Sequence, residues 1–188
     1  MTSRDVTQFL ARPDIYGALP RPWRERLDVI AFGAIQWPWL LRSLWGGRKS
    51  EKAALLRRLD LPFDALPHLG SWKADTRFLT HIVDAIEDLR PATVVELGWG
   101  ASSLGIAKAL SKFGGGRLIS YDQHQDFVAA TAHWLTNHDM TADLSHAPLG
   151  LPPGDWPGLW YQLADLPTDI GLLVIDGAPW ALHPLVRG

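Results

Sequence analysis

Residues 94–103 read Val94-Val95-Glu96-Leu97-Gly98-Trp99-Gly100-Ala101-Ser102-Ser103. A short β-branched run stops at Gly98, and an apolar helical period begins at 101. This is a strand, a glycine turn and a helix. Such a turn lets a ligand approach backbone N–H groups at a helix N-terminus; with no ligand it is simply a tight connection. The kind of ligand follows from charge. A dinucleotide fingerprint has a third glycine where this chain has Ser103, and Glu96 at the strand's carboxyl end repels a pyrophosphate. A carboxylate there attracts an ammonium or sulfonium centre, and S-adenosylmethionine (SAM) carries both.

Outward from this turn the pattern alternates. Asp75 is placed to cap a helix whose apolar residues Phe78, Leu79, Ile82, Val83, Ile86 and Leu89 form one stripe, ended by Pro91. After the helix at 101–112, Gly114-Gly115-Gly116 breaks the chain and residues 118–121 form a second strand. Residues 126–137 read as the next helix, with Phe127, Ala130, Thr131, Trp134 and Leu135 facing inward. A third strand is expected over 142–148, then a Pro/Gly/Trp-rich loop at 150–158, then an apolar strand at 170–175 ending in Asp176-Gly177. Strands alternating with helices at this spacing predict an α/β domain, a doubly wound parallel sheet of Rossmann type.

Two further carboxylates close strands. Asp122 lies 24 residues after Gly98, close to the spacing at which an acidic residue reaches ribose hydroxyls. A solvated or helix-capping aspartate is the plainer reading. Asp176 ends a strand at the carboxyl edge, where such sheets bind ligands, and is a candidate base; otherwise Asp-Gly is a turn.

The segments VVELGWGASSLGIAKAL, LISYDQHQDFVAATAHWL, ADLSHAPLG and LLVIDGAP together resemble the first four strands of the class I SAM-dependent methyltransferases, most closely a small bacterial branch. The likeness runs over about residues 75–180. It implies that Glu96, Gly98 and Gly100 contact the methionine end of SAM, that Asp122 binds the ribose, that Gln123 beside it also contacts the cofactor, and that His146 and Ala147 lie near the adenine. It also implies that Asp176 faces the transferred methyl or the substrate. Trp99 fills a position that is small in the family, and it either covers the cofactor or obstructs it. The family sheet has seven strands, and only 12 residues follow Asp176, so the sheet is expected to be incomplete at its C-terminal end. The function implied is methyl transfer to a small-molecule acceptor. The alternatives are an inactive or partner-completed cofactor-binding module and, less well supported, an NAD-dependent oxidoreductase.

Residues 1–74 are expected to form an N-terminal helical extension and 75–188 the SAM-binding domain. The charge divides at the same place: 12 Lys+Arg against 7 Asp+Glu before residue 75, and 6 against 13 from residue 75 onward. Residues 21–45 interleave Trp23, Trp37, Trp39 and Trp45 with arginines. This suits a helix packed on the domain, a lid over the cleft, or contact with a membrane surface. Nucleic-acid binding is disfavoured by the net charge of -2. With no cysteine there is no disulfide framework or thiolate chemistry, and the seven histidines show no metal spacing, so no metal site is expected. No secretory signal opens the chain, and its longest apolar run, 29–41, is too short to cross a bilayer. A cytoplasmic, at most membrane-peripheral, protein is expected. The uncharged run Leu172-Leu173-Val174-Ile175, lacking a fifth-strand neighbour, is expected either to self-associate at its edge or to be shielded by the Trp-rich N-terminal segment.

Overall fold

A computed structural model describes residues 45–66, 69–70, 74–152, 154 and 159–177. The expectations for 21–44, for most of the loop at 150–158 and for the residues after Gly177 lie outside this set. Helix α1 spans Lys49–Arg58 and α2 Thr76–Leu89. Strand β1 (Thr93–Leu97), helix α3 (Ala101–Phe113), strand β2 (Arg117–Asp122), helix α4 (Asp126–Thr136) and strand β3 (Asp143–His146) follow. Two short strands, β4 (Leu149–Gly150) and β5 (Trp160–Tyr161), precede β6 (Leu172–Ile175).

The local signals act where they were read. Asp75 caps α2, its Oδ1 accepting the Phe78 N–H at 2.7 Å. Helix α1 was expected from Ser50, as its cap, to Leu59; it begins one residue earlier, Arg48 preceding the first turn with its N–H donating to Glu51 Oε2 at 3.3 Å, and Ser50 lies inside the helix. In α2 the stripe Leu79, Ile82, Val83 and Ile86 is buried, whereas Leu89 is exposed in the last turn. In α4, Thr131 and Leu135 are buried and Ala130 faces solvent.

The main sheet has the order β3-β2-β1-β6, with every pair parallel. Its two faces build two cores. Val94, Leu118 and Val174 join buried residues of α1 to α4 in one. Val95, Leu97, Ile119 and Tyr121 face the other, with Ala147 and Tyr161. Helices α3 and α4 share one face, because right-handed crossovers running in one direction across a sheet, β1 to β2 to β3, land on one side, and α1 and α2 pack into the same core. The opposite face carries the antiparallel β4–β5 hairpin, Leu149 opposite Tyr161, where a plain loop was expected. Two-residue strands leave no periodicity to read.

The chain leaves β1 toward β2 on one side and returns at β6 on the other, so the topological switch lies at β1. Open α/β sheets bind ligands outside the carboxyl ends of their strands at that point. Among the described residues β6 pairs with β1 alone. Leu173 is 50% exposed there, and a shallow apolar groove runs between the edge and Phe78, His81, Ile82 and Ala85 of α2. No described helix is long and apolar enough to cross a membrane.

Candidate functional site

The turn after β1 is locked to the end of β6. Gly98 has φ +90°, and a Cβ on it would lie 2.1 Å from Gly177 Cα. Leu97 O accepts the N–H groups of both Asp176 (2.9 Å) and Gly177 (2.7 Å). Gly98 is therefore required for backbone-to-backbone packing as well as for its left-handed conformation. Gly100, just before α3, differs: a side chain there would meet nothing within 4 Å, so it leaves open space at the helix N-terminus.

The donors of the turn are largely spent. Gly98 N–H donates to Tyr121 O at 2.7 Å, Trp99 N–H to Asp122 Oδ2 at 3.2 Å, and Gly100 N–H to Ser103 Oγ at 3.1 Å. Ser103 N–H in turn donates to Gly100 O at 3.2 Å.

Three carboxyl groups gather at the switch point. Glu96 points to the helix-covered face and is fully buried. Its Oε2 accepts from Ser120 Oγ at 2.6 Å and Ser103 Oγ at 2.7 Å, while Oε1 is enclosed without a partner. Burial pushes this acid up to about 7, against the lowering effect of the serine hydroxyls and with a further rise from the Asp176 charge. Glu96 thus lies beneath the turn, held by the two serines. Asp122 is also buried: its Oδ1 accepts the His124 N–H at 2.8 Å and its Oδ2 ties down Trp99. Burial raises its pKa, and the backbone N–H groups of His124 and Trp99 oppose the rise. Asp176 is half-buried, and its Oδ2 accepts from Ser102 Oγ at 3.1 Å.

Gln123, His146 and Ala147 form a second group at the ends of β2 and β3. His146 Nε2 lies 3.1 Å from Gln123 O, and the buried Ala147 donates its N–H to Asp122 O at 2.8 Å. Buried Tyr161, from the β4–β5 hairpin, donates to Gln123 Oε1 at 3.1 Å and bridges the two groups. A Cβ on Gly177 would come within 2.5 Å of its hydroxyl oxygen. Sequence reasoning missed Tyr161 and the three serines. Ser120 is brought beside Glu96 by the register of β1 and β2, which no local signal sets, and nothing local marks Tyr161. The stretches 94–104, 120–126 and 172–177 contain no Lys or Arg. Among the described residues no group of three or more His, Asp or Glu could hold a metal ion.

No family model and no curated protein matches the chain. Among solved structures, the O-methyltransferase TomG from Streptomyces achromogenes, involved in tomaymycin synthesis and crystallised in complex with SAM, matches with a TM-score of 0.40 and 19% identity, over 74% of this chain and 60% of that one. The S-adenosylhomocysteine (SAH)-bound methyltransferase PaMTH1 of Podospora anserina matches with a TM-score of 0.36 and 12% identity, over 70% and 53%. The chain thus spans less than two thirds of the length of either structure.

Proposed function

We propose that the chain binds SAM at the carboxyl edge of its sheet and serves methyl transfer to a small-molecule acceptor. The observation that carries this reading is the gathering of Glu96, Asp122 and Asp176 at adjacent strand ends with no Lys or Arg in those stretches. Their field favours a sulfonium and an ammonium and disfavours a pyrophosphate. The donor set fits the cofactor. Asp122 uses one lone pair on each oxygen for Trp99 and His124, and a carboxylate has about four such sites, so acceptor capacity remains for a ribose diol. Gln123, His146 and Ala147 would border the adenine. When bound, the cofactor supplies an electrophilic methyl carbon open to displacement. Asp176, fixed by Ser102 Oγ, would take the proton from the acceptor's nucleophile at its carboxylate.

Calorimetry tests this directly. SAM and SAH are expected to bind and NAD is not. Asp122→Asn is expected to weaken both ligands about tenfold, since both carry the ribose and a charge-assisted contact is lost (about 1.4 kcal/mol). A loss seen with SAM alone would contradict the ribose role, and binding of NAD without SAM would overturn the reading.

The open β6 edge supports a second reading, a cofactor-binding module completed by a partner strand. Light scattering is expected to show dimers or larger species, and Leu173→Lys to shift them toward monomer. Cofactor binding without turnover on an acceptor panel would favour this reading; a wild-type monomer would remove it.

A further inference from the structure

Trp99 Nε1 is enclosed without an acceptor although the residue itself is partly exposed. A buried donor without a partner costs about 1–3 kcal/mol, and such a group in a folded protein calls for an explanation. Packing alone does not call for the donor, because it is the apolar ring and not the N–H that fills space. The surroundings supply an explanation. A zwitterionic amino-acid end brings its own carboxylate to strand ends that carry three acids, in stretches (94–104, 120–126 and 172–177) without Lys or Arg. That anion needs neutral donors. The N–H groups of Gly98, Trp99 and Gly100 are already committed within the fold. The indole N–H is the turn's uncommitted side-chain donor.

We infer that Trp99 is a specificity-determining residue, its indole N–H being the donor that receives the carboxylate of the ligand's amino-acid end. This rests on the SAM-binding reading above. In the free chain the N–H is enclosed while the residue as a whole is partly exposed. Rotation about the side-chain bonds brings the donor to the ligand, and the relieved cost of the bare N–H favours binding.

The test compares SAH with its decarboxylated analogue on wild type and on Trp99→Phe, which keeps a ring and removes the donor. Relative to the analogue, wild type is expected to hold SAH about tenfold more tightly than the variant does. Equal ratios in the two proteins would overturn the inference. A measurement on wild type alone covers a variant that fails to fold. One indole N–H resonance should move downfield with SAH and stay in place with the analogue, and no such movement would also overturn the inference. Failure of wild type to bind SAM or SAH at all is a separate result and would defeat the underlying reading.

Discussion

Gly98→Ala is expected to cost a large part of the fold's stability, whereas Gly100→Ala, two residues away, should be mild. Two effects add at Gly98. Its φ of +90° is a conformation L-residues rarely adopt, and such strain costs about 1–3 kcal/mol. The new methyl would also lie 2.1 Å from Gly177 Cα and 2.2 Å from its nitrogen. Both are backbone atoms, fixed by the hydrogen bond from Gly177 N–H to Leu97 O, so no rotamer can move aside. Overpacking of this kind adds about 1–3 kcal/mol. A total of roughly 2–6 kcal/mol stands against 5–15 for a whole domain. At Gly100 the methyl enters open space. Only the modest preference of a helix N-cap for glycine over alanine is lost, under about 1 kcal/mol. Urea titration of both variants, read by circular dichroism, measures the contrast. Equal midpoints would show that β1 and β6 are not clamped as described.

The second large effect is a loss of stability between mildly acidic and mildly basic pH, traceable to Glu96. Its acid strength in the fold is near 7, against an ordinary value of 4.5. The sign follows from proton binding. Between these values the folded chain keeps a proton that the unfolded chain has released, so raising the pH favours unfolding. Below about 4.5 the penalty is absent; it grows between 4.5 and about 7 and is fully present above. Two and a half pKa units correspond to about 3 kcal/mol. Structurally, the ionised form leaves Oε1 bare inside the protein and places a second negative charge near Asp176. Glu96→Gln has no charge to desolvate, and Ser103 and Ser120 can still donate to its amide oxygen. Its stability is therefore expected to be nearly flat between pH 5 and 8, apart from a small contribution from Asp122. Stability-against-pH curves for the two proteins decide it; parallel curves would clear Glu96 of the effect. Binding is expected to move the opposite way. The ionised carboxylate, favoured above pH 7, attracts the cationic ligand, so SAM affinity should rise over the range where the free protein weakens.

Much of the fold was legible because its signals are local. The β-branched run 93–97 and the glycine that stops it fix a strand and a turn within six residues. Asp75 and Pro91 bracket α2, and the apolar period between them marks the face it buries. The strand-end positions of Asp122 and Asp176 follow from strand lengths alone. What those carboxylates face was not legible. Whether Glu96 meets solvent or lies under α3 depends on which face of the sheet the crossover helices cover and on the register that sets Ser120 beside it. Neither leaves a mark within the strand itself. The hairpin at Leu149 and Tyr161 was missed for the same reason, since each strand is two residues long and only its partner stabilises it. Sequence determined where the strands, turns and charges fall. Tertiary structure decided which of those charges are buried and which backbone donors are used up, because burial and hydrogen bonding are properties of neighbours brought together from far along the chain.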